Sequence, residues 1–295
     1  MNTLVFFLLS LATAIDIDFY SDDPSALLSH WLLFRYTFDA HIKVFYDNTD
    51  AVVAFNANSS ETYRKGVNQF TDMTSAEFMS ILPPIPLAVI ESEANKAIPI
   101  LTDFLDGSNA SLPTAYNCGP QTGPVHNQFS CASGYAFSAI SVVQGAARRK
   151  YKHNLDLSEQ QAVNCWAAKN GEGCDGGWAP DMVGSTRDKL LRYTANPGRC
   201  MTSPAYAWIK TIFQVVALMV HFQCKPGIFH TDSVSAVPNH VVTLVGWGRD
   251  AVSGLDYWLV KNSWGSLWGN AGYIKVEASS PNAAQMLKYA YGVTA

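Results

Sequence analysis

The chain has 295 residues, 48% hydrophobic and 15% charged, with a formal net charge of -4. That length exceeds one typical domain without requiring two large ones, and 8 Trp with 13 Tyr supply material for a sizeable core. The mildly acidic balance excludes the electrostatic footprint of a nucleic-acid binder, and basic clusters such as Arg148-Arg149-Lys150 read as the solvated end of a helix.

Taken in chain order, Leu4 to Leu11 form a short apolar run followed by Ala12-Thr13-Ala14, which fits the small-x-small rule of signal cleavage. The run is too short to span a bilayer, so residues 1–14 read as a removed secretory signal with no membrane anchor, the alternative being a buried first strand. Helical patterns follow over Ala26 to Phe38 and His41 to Phe55. Residues 83–111 carry Pro83-Pro84, Pro86, Pro99 and the run Asp106-Gly107-Ser108-Asn109-Ala110-Ser111, a composition that resists compact structure. The predicted organisation is therefore a leader over 15–111, linker included, and a core domain over 112–295.

Within the core domain, Ala136 to Lys150 has a helical pattern. Ile212 to Val220, Val241 to Gly246 and Asp256 to Lys261 concentrate apolar and β-branched residues as strands do. A helix early and strands late predict an α+β fold with two subdomains. All six cysteines, at 118, 131, 165, 174, 200 and 224, lie after the signal, which in a secretory context suggests disulfides. No C-x-x-C occurs, so a zinc site is not expected, and no other metal or cofactor is implied. Asn58-Ser59-Ser60 and Asn109-Ala110-Ser111 are N-glycosylation sequons.

Four motifs then stand in one order. Asn127-Gln128 leads into Ser130-Cys131 and Tyr135-Ala136-Phe137-Ser138-Ala139; Ser158-Glu159-Gln160-Gln161 leads to Asn164-Cys165 and then Gly173-Cys174-Asp175-Gly176-Gly177. Asn239-His240 precedes a strand ending Gly246-Trp247-Gly248, and Trp258-Leu259-Val260-Lys261-Asn262-Ser263-Trp264-Gly265 is followed by Trp268-Gly269. In the leader, Gly66-Val67-Asn68-Gln69-Phe70-Thr71-Asp72 carries a G-x-N-x-F-x-D pattern. Phe45, Asn48, Val52 and Asn56 keep a helical spacing upstream of it. Together these motifs resemble the papain-like cysteine peptidases, made as precursors with an inhibitory propeptide. The acidic and Arg positions of that propeptide's helix are Thr37 and His41 here.

The resemblance implies a papain-like fold, with a helical and a β-rich subdomain preceded by a mainly helical propeptide. It also implies a thiolate at a helix N-terminus, where the dipole and an adjacent imidazolium favour it. His240 would be the base, Asn262 its orienting carboxamide, Gln128 the oxyanion donor and Trp264 a shield over the His–Asn contact. Gly176 and Gly177 would line the substrate groove. Cys131–Cys174 and Cys165–Cys200 would be disulfides, leaving Cys118 and Cys224 to pair by elimination.

The nucleophile position departs from this pattern. Six residues after Gln128, and directly before Tyr135-Ala136-Phe137-Ser138, stands Gly134. Both anchors give the same register. Cys131 lies three residues too early, and Ser133 sits in the loop before the helix with no argued access to the base. Only 39 residues separate Cys200 from His240, fewer than the family's usual spacing, so part of one groove wall is trimmed and substrate preference does not transfer. The expectation is a catalytically inactive, secreted or lysosomal/vesicular homologue. It would be monomeric, associated with its own propeptide, and able to take a peptide or protein ligand in the groove. The alternative is an active cysteine-type endopeptidase, if Gly134 is a sequence error or variant.

Overall fold

A computed structural model describes residues 24–82, 113–152, 154–170, 173–177, 193–198, 215–217, 224–230 and 239–278. The first described element, α1 (Pro24–Ala57), is one helix of 34 residues rather than the two expected. Nothing between Phe38 and His41 can break it: after Pro24, tolerated at a helix start, the segment holds neither Pro nor Gly. Strand β1 (Tyr63–Lys65) and the short helix α2 (Ser75–Ser80) complete the described leader. Helix α2 opens on a capping box, in which Thr74 accepts from Glu77 N while the Glu77 carboxylate accepts from Thr74 N.

The core domain begins with β2 (Tyr116–Asn117) and a 3-10 turn over Gly119–Thr122. Helix α3 (Gly134–Tyr151) brackets the expected Ala136–Lys150, and it ends where Lys152 turns left-handed at φ 58°. Helix α4 (Glu159–Asn170) starts after Ser158, whose hydroxyl accepts from Gln161 N. The remaining strands are β3 (Val215–Ala217), β4 (Cys224–Phe229), β5 (His240–Arg249), β6 (Asp256–Lys261) and β7 (Tyr273–Glu277). Of the span 212–220 expected as a strand, only Val215–Ala217 lies among the described residues; the signal, the linker, Asn109 and Cys200 lie outside them.

Among the described residues the strands form one sheet in the order β1-β4-β7-β6-β5-β2, with β3 also on β5. The leader therefore contributes an edge strand: β1 pairs antiparallel with β4, Tyr63 opposite Gly227. Two buried clusters result among the described residues. One lies between α3 and α4, holding Tyr135, Ala136, Ile140, Val143, Leu157 and Val163 with Val241 from β5. The other is shared across the chain, joining Tyr63, Phe70, Phe78, Ile81 and Leu82 of the leader to Phe229, Val260, Trp264, Trp268 and Ile274 of the core domain.

A buried polar clamp joins the helical and β-rich halves. Lys261 Nζ donates to the carbonyl oxygens of Thr122 at 2.9 Å and Gly123 at 3.0 Å and to Ser141 Oγ on α3 at 3.2 Å. Burial pushes its pKa down to about 8, against the opposing pull of the Glu159 charge.

The cysteines partly depart from expectation. Cys131 and Cys174 are bonded, and Cys165 is in a disulfide. Cys118 is free, its thiol donating to the Val245 carbonyl at 3.0 Å, which corrects the inferred Cys118–Cys224 pair. The reason is topological. Cys118 follows β2 at one edge of the sheet, and Cys224 lies on β4, with β5, β6 and β7 between them. Four inter-strand steps amount to roughly 19 Å, far beyond the ~7 Å Cα separation a disulfide tolerates.

Candidate active site

Strand register assembles the site. β5 and β6 run antiparallel with Thr243 opposite Lys261, so extending that ladder brings His240 opposite Trp264 and diagonal to Asn262. His240 Nε2 donates to Asn262 Oδ1 at 2.8 Å, and the Trp264 ring stacks on the imidazole at 4.8 Å between centroids and 18° between planes. Asn262 Oδ1 also accepts from Ser263 N at 2.8 Å, which identifies it as the oxygen and puts the histidine proton on Nε2. Nδ1 of the neutral ring is then the acceptor. Full burial pushes the His240 pKa down to about 4, outweighing the opposing hydrogen bond to Asn262, so the ring is neutral well into acid.

The Nδ1 edge of that ring faces the N-terminus of α3, where residue 134 is glycine. A Cβ built there would lie 2.8 Å from both Nδ1 and Cε1 of His240 and 3.0 Å from the Val241 carbonyl oxygen. The imidazole thus occupies the space a side chain at 134 would need. Among the described residues neither neighbour of that position stands in for a nucleophile: Cys131 is held in its disulfide, and Ser133 is buried with Oγ 2.7 Å from the Tyr193 hydroxyl.

Gln128 is buried and pinned at both ends of its amide. Oε1 accepts from Ser263 Oγ at 2.5 Å and Nε2 donates to the Cys131 carbonyl at 3.0 Å. Gly176 and Gly177 line one cavity with Gln128, Gly134, Tyr135 and His240. Gly176 has φ 102°, which favours glycine, and a Cβ at Gly177 would strike the Tyr135 ring at 2.8 Å. The structure thus brings Gln128, Gly134, Gly176, Gly177, His240, Asn262 and Trp264 together.

The leader covers this assembly through residues that no motif marked as site residues. Leu82, 2% exposed, lines the cavity that holds Gly134 and His240. Phe70 and Phe78 meet Trp264 edge-on at 5.3 and 5.5 Å, and Gln69 Nε2 donates to the Trp264 carbonyl at 2.5 Å. His41 ties α1 to the leader's turn, with Nδ1 donating to the Asp72 carbonyl at 2.7 Å and Nε2 lying 3.7 Å from Glu77 Oε1. Phe70 sits in the G-x-N-x-F-x-D run and could have been found from it, whereas Leu82 carries no local signal beyond preceding Pro83-Pro84. Among the described residues no group of acidic, His and Cys side chains could hold a metal ion, and no helix is long and apolar enough to cross a membrane.

A helix N-terminus set against a histidine on β5 and an asparagine just past β6, roofed by a leader that shares the sheet, defines a papain-type precursor. Residues 113–204 and 205–294 match the papain family cysteine protease model, and residues 35–78 match the cathepsin propeptide inhibitor domain (I29). The chain belongs to the papain family. It is 29% identical to fruit bromelain of Ananas comosus over 266 residues, covering 79% of this chain and 73% of that protein. It is 30% identical to digestive cysteine proteinase 3 of Homarus americanus over 282 residues, covering 81% and 83%. Among solved structures it resembles digestive procathepsin L 3 of Tenebrio molitor larval midgut, with TM-score 0.77, 22% identity and 100% and 98% coverage. It also resembles a recombinant stem bromelain precursor, with TM-score 0.71, 25% identity and 88% and 92% coverage.

Proposed function

We propose that this chain is a precursor-type papain homologue that has lost peptidase chemistry and works by binding. The observation that carries this reading is Gly134. It presents neither thiol nor hydroxyl to the unprotonated Nδ1 of His240, and the imidazole stands where such a side chain would have to fit. In the family's mechanism the thiolate forms the acyl-enzyme, and His240, Asn262 and Gln128 would only orient, transfer protons and stabilise charge around it. Removing the nucleophile of such a set typically leaves only what binding and the oxyanion hole contribute. The retained groove would take an extended peptide or a protein segment, and the first such occupant is the chain's own leader, through Leu82. The chain would travel the secretory route, to the outside or to a lysosome-like vesicle, as a monomer.

The test is a peptide epoxide directed at activated thiols. Incubated with the acid-treated protein, it is expected to leave residue 134 unlabelled; Cys118, the free thiol among the described residues, is partly buried and burial raises its pKa. Stoichiometric labelling at residue 134, with a transcript carrying a Cys codon there, would replace this reading by an active cysteine endopeptidase. The kept Gln128, His240, Asn262 and Trp264 favour that alternative.

A further inference from the structure

We infer that Asn58 carries an N-linked glycan on the leader. This rests on the secretory part of the proposed function, since the transferase acts in the secretory lumen. Asn-x-Ser/Thr occurs twice in the sequence, at Asn58-Ser59-Ser60 and Asn109-Ala110-Ser111, and in neither is the middle residue proline.

The fold separates Asn58 from the asparagines of α1. Asn48 and Asn56 have their amide nitrogens committed to holding the leader together. Asn48 Nδ2 donates to the carbonyls of Thr71 at 2.8 Å and Met73 at 3.0 Å, and Asn56 Nδ2 to that of Lys65 at 2.8 Å. A sugar on Asn48 would take one of the two hydrogens those bonds use, and neither Asn48 nor Asn56 stands in a sequon. Asn58 stands just past the last turn of α1, its own N–H closing that turn on the Phe55 carbonyl at 3.1 Å. Residues 58, 59 and 60 are all exposed. The described contact of Asn58 Nδ2 is a marginal one, 3.5 Å to Glu61 Oε1 at the surface.

The carbonyl end of the same side chain is the anchored end. Asn58 Oδ1 accepts from Ser60 N at 3.1 Å and from Ser60 Oγ at 2.8 Å. A glycosylated asparagine keeps its carbonyl oxygen and one amide hydrogen, so both Ser60 bonds survive modification. The local turn, the helix end and the leader's docking strand are thus compatible with a bulky substituent on Nδ2.

The donor is a pyrophosphate-linked oligosaccharide beginning in N-acetylglucosamine. The new bond joins the sugar's anomeric carbon to Asn58 Nδ2, and the anomeric carbon–oxygen bond to the pyrophosphate breaks. The pyrophosphate leaves with that electron pair, and one amide proton passes to the transferase's base.

Full-length chain expressed in eukaryotic secretory cells tests this. The leader peptide containing Asn58 is expected to carry a glycan that peptide-N-glycosidase removes, converting the modified asparagine to aspartate. N58Q or S60A is expected to remove that occupancy. The N58Q protein should keep its melting temperature, because the side chain is exposed. A parallel arm replaces residues 1–14 by an established secretion signal. Exported chain that is bare at Asn58 in this arm overturns the glycan whatever residues 1–14 do. A glycan at Asn58 in this arm alone supports the site and overturns the native secretory signal instead.

Discussion

At the scale of single residues, Gly134 and His240 define each other. Glycine at a helix start is ordinarily a weak choice, and Ala would gain up to ~1 kcal/mol in helix propensity. Here the added methyl would press on the imidazole, which cannot retreat freely because Trp264 stacks on it and Asn262 holds Nε2. Overpacking of that kind costs about 1–3 kcal/mol, so the clash outweighs the propensity. Gly134→Ala is expected to lower unfolding stability by about 1 kcal/mol in urea melts; a stabilised variant would show that the ring moves aside at no cost.

The buried neutral His240 also makes stability depend on pH, with a sign opposite to that of a charge-paired histidine. In the unfolded chain the imidazole binds its proton near 6.5, whereas in the fold it resists protonation down to about 4. The unfolded state therefore holds more protons between those values. The contribution is fully present above 6.5 and is lost as pH falls toward 4. From pH 7.5 to pH 4.5 the loss is on the order of 2–3 kcal/mol. Urea unfolding of the natural chain and of His240→Gln at both pH values should give a drop smaller by that amount in the variant. Equal drops would mean that His240 is charged in the fold.

At the scale of elements, the leader's turn and α2 act as a bracket on Trp264. Phe78 is 5% exposed and meets both Phe70 and Trp264 edge-on. Phe78→Ala removes a buried aromatic ring worth about 3–5 kcal/mol. Hydrogen exchange should then quicken in residues 66–82 and in the Trp264 segment well before it does in α3, whose packing on α4 lies in the other cluster. Uniform quickening throughout would count against the bracket.

Elements also show what the sequence made legible. The strand Asp256–Lys261 and the span of α3 could be read because their apolar patterns are bounded by clear punctuation, and the α+β class followed from their order. The expected break in α1 failed because a dip in apolar periodicity at Asp39-Ala40 is no breaker without Pro or Gly. The Cys118–Cys224 pairing failed for a deeper reason: counting cysteines carries no information on strand order, which places three strands between them. Gly134 could be located by flanking residues. The imidazole filling its space is a tertiary fact with no linear signature, and so is Leu82 reaching the same cavity.

At the scale of the whole molecule, the question is whether leader and core domain are one body or two. Five leader side chains, Tyr63, Phe70, Phe78, Ile81 and Leu82, are buried in the shared cluster, and β1 adds backbone bonds to β4. At about 1.5–3 kcal/mol for each buried large apolar side chain, their gross contribution is roughly 10 kcal/mol. That is comparable with the ~4–15 kcal/mol lost when two free bodies associate. Tethered through residues 83–111, the leader escapes most of that cost, since a short linker holds it at an effective concentration of about millimolar. Two consequences follow for the intact chain. Leader and core domain should melt in a single transition, and the groove should not take an added peptide while Leu82 holds it. Cutting a specific protease site placed within 83–111 should weaken the leader only through lost tethering. The cut halves are expected to co-elute at micromolar concentration in size exclusion and to separate on dilution toward nanomolar. Only the diluted core domain should then bind an extended peptide. Peptide binding by the uncut chain, or separation of the cut halves already at micromolar concentration, would show that the shared cluster does not make the leader a lasting part of the fold.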